Sequence, residues 1–246
     1  MGLLDILKSI PTANELTGNF AEWLTKTYSS SFSDALVLHD VLIDGTCDNT
    51  SQIDLLMIGK KGIYVVEVKS FANAKIYGDV QRSKWTYYSH GKKYEIYSPL
   101  KQNKKHVEYL KKFLQDFGPI PCFSILTVIC EDFKVSGQFP PNTVLCSSLP
   151  AMKRGIQSIA ESHPEVWSES TQQEIFSYIK NNQHNGKAAR IEHKERVISY
   201  KNELDRLTQQ KQCPYCKTDL ILRKGKYGDF YGCKNYPKCK YTLKQS

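Results

Sequence analysis

Between residues 50 and 70, two runs rich in aliphatic residues flank the tetrad Gly59-Lys60-Lys61-Gly62. Branched side chains suit strands, and glycine relieves the backbone where a chain reverses, so this pattern predicts a β-hairpin. With a two-residue turn at Lys60-Lys61, Asp54 falls opposite Glu67 and Gln52 opposite Lys69. Side chains alternate faces along a strand, so Asp54, Glu67 and Lys69 share one face. Facing residues lie roughly 5 Å apart at Cβ. Two carboxylates and one ammonium therefore converge on one patch of an otherwise apolar hairpin.

The rest of the pattern surrounds this hairpin. Residues 3–10 are a short amphipathic stretch stopped by Pro11. Leu16, Phe20, Trp23, Leu24 and Tyr28 recur at helical spacing and predict a helix over 15–29. Strands are expected at 36–43, 74–77, 84–88, 123–129 and 143–146, with turns at 44–51, 78–81 and Gly91-Lys-Lys and a loop at Pro140-Pro141. The strand at 123–129 is almost continuously apolar, as one covered on both faces would be. A helix over about 100–117 carries Leu100, Val107, Leu110, Phe113 and Leu114 as its core stripe. Gln102, His106 and Tyr109 share another of its faces. Helices at 149–159 and 172–179 close the domain, which reads as an α/β sandwich. Residues 186–212 form a charged helical linker with a thin seam of Ile191, Val197, Ile198 and Leu204, too short to argue a dimer, so no oligomeric state follows.

Composition adds the class. At 246 residues with 40% hydrophobic and 24% charged positions, the chain suits one ordinary globular domain and a small one. No apolar run reaches the ~18 residues that span a bilayer, and the first residues lack a signal-peptide pattern. A cytoplasmic protein with no membrane partner is the expectation. The net charge of +9 is unevenly placed. Residues 211–246 hold nine Lys and Arg against two Asp, while the rest carries 25 bases and 23 acids. A compact cationic tail points to a polyanion, most often nucleic acid.

Two facing carboxylates repel and want a cation between them, and oxygen ligands suit Mg²⁺ or Mn²⁺. Asp54 followed on the next strand by Glu67-Val68-Lys69 resembles the active site of the PD-(D/E)xK nuclease superfamily. The words Gln52-Ile-Asp-Leu-Leu-Met-Ile-Gly, Gly62-Ile-Tyr-Val-Val-Glu-Val-Lys, Ile76-Tyr-Gly-Asp, Trp85 and Ser98-Pro-Leu-Lys-Gln-Asn-x-x-His106 resemble the NERD (nuclease-related) domain over roughly residues 15–180. The resemblance implies a restriction-endonuclease-like α/β/α sandwich with a mixed sheet. It implies that Glu22, on the first helix, faces the active site and that Gln102 faces the cleft. The expected catalytic set is Glu22, Asp54, Glu67, Lys69 and Gln102, with Asp54 and Glu67 as Mg²⁺ ligands joined by a strand carbonyl near Val68. His106 could donate a proton to a leaving oxygen. A polar helix face accounts for it equally, and it stays outside the set.

Of eight cysteines, Cys47, Cys122, Cys130 and Cys146 are scattered and read as ordinary thiols. The other four come as Cys213-Pro-Tyr-Cys216 and Cys233-Lys-Asn-Tyr-Pro-Lys-Cys239. Four thiolates in two pairs suit tetrahedral Zn²⁺. Roughly 30 residues cannot bury a sufficient core, so the metal supplies folding energy. The text Gly228-Asp-Phe-Tyr-Gly-Cys233 followed by Tyr236-Pro-x-Cys239 resembles the zinc ribbon at the C-terminus of bacterial type IA topoisomerases. Those ribbons bind single-stranded DNA. Aromatic and lysine residues interleave here, and bases stack on exposed rings while lysines follow the phosphates. The expected interface is Tyr215, Lys226, Tyr227, Phe230, Tyr231, Lys234, Tyr236 and Lys238, with some of the rings packing the ribbon itself.

The expected organisation is an N-terminal segment (1–14), a nuclease-like domain (15–183), a helical linker (184–210) and a zinc ribbon (211–246). The expected function is metal-dependent hydrolysis of DNA phosphodiester bonds. The alternative is a catalytically inactive DNA-binding or DNA-processing accessory protein.

Overall fold

The structure, a computed structural model, describes residues 35–45, 50–71, 73–226 and 228–244. The stretch 3–10, the helix at 15–29 with Glu22, and Tyr227 lie outside the described residues. The chain divides into two units at Gly186.

The first unit is built on a five-stranded sheet. Its strands are β1 (Leu36–Asp44), β2 (Thr50–Gly59), β3 (Gly62–Ser70), β7 (Cys122–Ile129) and β9 (Thr143–Cys146), in the order β1-β2-β3-β7-β9. β1, β2 and β3 run antiparallel, whereas β3, β7 and β9 run parallel. Three helices cover the sheet: α1 (Pro99–Phe113), α2 (Leu149–Ser162) and α3 (Glu169–Asn182). Leu56, Ile58, Ile63 and Val65 meet Leu110 of α1 and Ile175 and Ile179 of α3 on one face. Leu55, Met57, Tyr64 and Val66 meet Met152, Ile156 and Ile159 of α2 on the other. Burial on both faces explains why β2, β3 and β7 read as nearly unbroken apolar runs. The expected three-layer α/β/α arrangement with a mixed sheet is therefore present.

The hairpin turns at Lys60-Lys61, and its ladder runs from Leu55↔Val66 to Gly59↔Gly62. Gly62 has φ +137, and a Cβ there would meet the Pro121 carbonyl oxygen at 2.5 Å. Only glycine lets β3 start this close to the strand beside it.

The first unit also holds a second sheet. It holds β4 (Ala74–Asp79), β5 (Lys84–Ser89), β6 (Lys92–Tyr97) and β8 (Asp132–Ser136), in the order β6-β5-β4-β8. β6 and β8 were not expected as strands. The turn before β6 is His90-Gly91, with φ of 49 and 71, so Lys92 and Lys93 belong to the strand. Positive φ at both central residues is what a tight two-residue hairpin requires. The segment Ile76-Tyr-Gly-Asp and Trp85 form a packing unit of this sheet. Trp85 lies over Gly78, where a Cβ would come within 2.6 Å of its ring, and its Nε1 donates to the Asp79 carbonyl at 3.1 Å.

Serines cap the three helices. The Ser98, Ser148 and Ser168 hydroxyls accept from the backbone N–H of Lys101, Ala151 and Thr171. The expected helix to residue 117 ends at Phe113, and a 3₁₀ turn, Gln115–Phe117, follows it.

The second unit starts with α4 (Gly186–Gln209). Of the apolar seam expected there, Ile191, Val197 and Ile198 are exposed and Leu204 is half-buried, while the buried position of the helix is Leu207, outside that seam. Three short antiparallel strands follow: β10 (Leu220–Arg223), β11 (Phe230–Cys233) and β12 (Thr242–Lys244).

Candidate active site and metal centre

Strand alternation turns Glu67 toward the α1 face of the sheet, among the apolar residues that pack on that helix. Its side chain is completely buried. A carboxylate in that setting is costly unless positive charge is at hand. Lys69 Nζ lies 2.5 Å from Glu67 Oε1, and His106 Nε2 lies 3.4 Å from Oε2. Lys69 and His106 thus face the two carboxylate oxygens directly, and no further donor reaches them among the described residues. Burial works to raise the pKa of Glu67. His106 and Lys69 outweigh it, and the net shift is downward.

Asp54 sits at the edge of this pocket, where the backbone ladder of the hairpin has ended. Its Oδ2 accepts the Val68 N–H at 3.0 Å. Burial, then repulsion from Glu67, pushes its pKa up to about 6. Lys69 is half-exposed, and its pKa is raised: burial lowers it, but the charge of Glu67 prevails.

Helix α1 supplies the roof. His106 Nδ1 lies 2.6 Å from Ser51 Oγ, and its Nε2 lies 3.3 Å from Gln102 Nε2. Gln102 thus reaches the site through His106. One residue on, Asn103 is fully buried, and its Nδ2 donates to Val65 O and Ser124 Oγ, both at 2.9 Å, and to Ile125 O at 3.3 Å. The stretch from Ser98 to His106 therefore has a part for each marked residue: a cap, a proline first turn, a clamp on β3 and β7, and an imidazole against Glu67. Gln52, by contrast, donates to Asp40 on the neighbouring strand.

The structure brings Asp54, Glu67, Lys69 and Gln102 together and adds His106, Ser51 and Asn103. The spacing of Gln102 and His106, one helical turn apart, was the available sign for His106. Nothing local marked Ser51. Asp54 and Glu67 offer hard oxygen atoms at a shared patch, and two carboxylates so placed fit a divalent cation of the Mg²⁺ type.

In the second unit the sulfurs of Cys213, Cys216, Cys233 and Cys239 all lie within 4.8 Å of one another. Cys213 and Cys239 are 3.6 Å apart and Cys216 and Cys233 are 3.3 Å apart, far beyond a disulfide bond. With Zn–S bonds of about 2.3 Å, tetrahedral geometry puts sulfurs near these separations, so the four thiolates fit Zn²⁺. The Thr218 hydroxyl lies 3.1 Å from Cys216 Sγ and 3.3 Å from Cys233 Sγ, an outer partner that steadies thiolate charge.

Around this centre Tyr215 and Tyr236 are more than 60% exposed, and Lys226, Lys234 and Lys238 are exposed as well. Phe230 and Tyr231 are half-buried. Tyr231 packs with the cysteine cluster beneath Lys211, whose Nζ lies 4.1 Å from the ring centre. Arg223 lies over the Tyr236 ring at 5.6 Å.

Residues 17–129 match the family model of the nuclease-related domain, NERD, and residues 210–246 match that of the topoisomerase DNA-binding C4 zinc finger. The chain is thus similar to a NERD domain over one stretch and to a topoisomerase-type zinc ribbon over another. The ribbon is 73% identical over 30 residues to DNA topoisomerase 1 of Methanocaldococcus jannaschii, a match covering 12% of this chain and 4% of that protein. DNA topoisomerase 1 of Campylobacter jejuni is 28% identical over 122 residues, 49% of this chain and 14% of that protein. An uncharacterized protein of Bacillus anthracis is 33% identical over 89 residues, 36% of this chain and 41% of that protein. Each match thus spans well under two thirds of the relative's length. No solved structure matches the chain. The NERD match places Asp54, Glu67, Lys69, Gln102 and His106 all within one domain. No helix among the described residues is long and apolar enough to cross a membrane.

Proposed function

We propose that the chain is a metal-dependent nuclease that hydrolyses DNA phosphodiester bonds, with the zinc ribbon holding the DNA, single-stranded DNA in particular. The observation that carries the reading is Glu67: a wholly buried carboxylate, held by Lys69 and His106, that shares its patch with a second carboxylate, Asp54. Two carboxylates crowded into one largely buried patch repel each other, and a divalent cation between them relieves that repulsion. In this reading Asp54 and Glu67 hold Mg²⁺ or Mn²⁺, which when bound supplies Lewis acidity toward the phosphoryl group. Lys69 orients the attacking water and offers positive charge to the phosphoryl oxygens. Water oxygen bonds to phosphorus, the bond to the leaving oxygen breaks, and that oxygen takes up a proton. His106 keeps Glu67 aligned, and Gln102 fixes the imidazole while facing the substrate. Glu22, carried over from the resemblance, completes the metal environment.

One observation favours the accessory reading. Lys69 already pairs with Glu67, His106 lies against its other oxygen, and the Val68 N–H already engages Asp54, so the patch is stable as a purely structural feature.

The test is incubation of the full chain with single- and double-stranded DNA and Mg²⁺ or Mn²⁺, beside Asp54→Asn and Glu67→Gln. Cleavage by the wild type and its loss in both folded variants is expected. Undiminished cleavage in either variant sinks the metal assignment. DNA binding by the wild type without cleavage under either metal establishes the accessory role.

A further inference from the structure

On the side of α1 turned away from His106 lies a cavity of about 430 Å³. That is within the range of roughly 300–1,000 Å³ that small-ligand sites occupy. Lys101, Lys104 and Lys111 line it from the helix, and no acidic side chain lines it. At about 100° per residue these three lysines stand roughly 150° around the helix from His106. The two faces of α1 therefore serve different surfaces. Leu100 and Val80 are buried at the cavity wall, and the loop at Pro141 and Asn142 forms the opposite lip.

The chemistry of this lining is specific. Three lysines line the wall along the helix with no carboxylate among them, in a chain whose charge outside residues 211–246 is close to balanced. Lys104 has one ion pair, a loose contact of 3.8 Å with Glu108 on the exposed helix surface. Lys101 and Lys111 have no acidic partner among the described residues. Apolar wall residues beside them suit a planar, weakly polar body, and the lysines suit phosphate. Together they describe a nucleotide unit. From Lys101 to Lys111 the helix rises about 15 Å, too far for a single phosphate to engage all three. A run of phosphates along a strand fits that spread.

We propose that this cavity is a second nucleic-acid site, in which a polynucleotide strand lays its phosphates along Lys101, Lys104 and Lys111 and seats a base against Leu100 and Val80. The site is separate from the carboxylate pocket, and a chain that binds without cutting uses it equally. A free nucleotide carries the same chemistry, and the test tells the two sources apart.

Full-length protein and its Lys101→Gln/Lys104→Gln/Lys111→Gln variant are titrated with a dye-labelled single-stranded oligonucleotide at several salt concentrations, and with ATP and AMP. For a strand, the slope of log affinity against log salt falls by about 2 in the variant, since three phosphate contacts are lost at about 0.7 each. For a free nucleotide, ATP or AMP binds the wild type, and the variant loses at least tenfold in that affinity. Lys104→Gln alone gives a proportionate part of either loss and guards against misfolding of the triple variant. A folded triple variant with the wild-type salt slope and no lysine-dependent binding of ATP or AMP overturns the proposal. Cleavage is read in parallel only to keep this result independent of the carboxylate pocket.

Discussion

At the scale of single residues, the site was partly legible. Hairpin register alone put Asp54, Glu67 and Lys69 on one face, because the side-chain period of a strand is two and the turn leaves no slack. What register could not reveal is depth. Glu67 is wholly buried while Asp54 and Lys69, on the same face, are not, and that difference comes from α1 closing over one end of the hairpin. His106 was ambiguous for the same reason, since a helix face says where a side chain points but not what it meets. Its two nitrogens lie against Ser51 and against Glu67 and Gln102, and the proposed nuclease would use it to position Glu67. His106→Ala should lower cleavage by at least tenfold and weaken the affinity for metal, because Glu67 loses the imidazole that fixes one of its oxygens. His106→Gln, which keeps a donor, should recover part of the loss. Titration of Mn²⁺ against activity for both variants checks this. Equal kinetics for His106→Ala and the wild type would return the imidazole to the role of packing residue.

At the scale of elements, long apolar strands and capped helices were read correctly, and the second sheet was not. β6 is exposed at nearly every position and β8 lies at a sheet edge, so neither shows the alternation by which half-buried strands are recognised. Strands β4 and β5 were legible as strands, but periodicity carries no record of which sheet a strand joins. The hairpin turn illustrates how firmly an element can be specified by one residue. Gly62→Ala forces a Cβ toward the Pro121 carbonyl at a φ that L residues rarely adopt. It should destabilise the first unit by more than the ~1 kcal/mol of an ordinary glycine replacement at positive φ. Urea denaturation gives the number. A value near zero would mean that β3 can shift its start without cost.

At the scale of the whole molecule, charge and cysteine spacing made the second unit the more readable of the two. The zinc ligands were identifiable because a module this small has so few ways to be stable. The basic excess of residues 211–246 leads to the expectation that their removal weakens DNA binding strongly and flattens its salt dependence. Deleting residues 207–246 should leave cleavage at saturating DNA in place, since Asp54, Glu67, Lys69 and Gln102 remain. The helical linker would then act by raising the local concentration of DNA. Isotherms for both chains across salt decide it, and an unchanged slope would make the ribbon a contact for a protein partner instead. A last consequence follows from where β3 lies. It is the middle strand of five, paired along β2 on one side and β7 on the other. Local opening is rarest in such a strand. The amides of Val65 and Val66 should exchange with deuterium as slowly as any in the first unit, on the timescale of global unfolding. Whatever breathing admits a bulky polymer must then belong to the surrounding elements, and the carboxylate of Glu67 waits on a part of the molecule that scarcely moves.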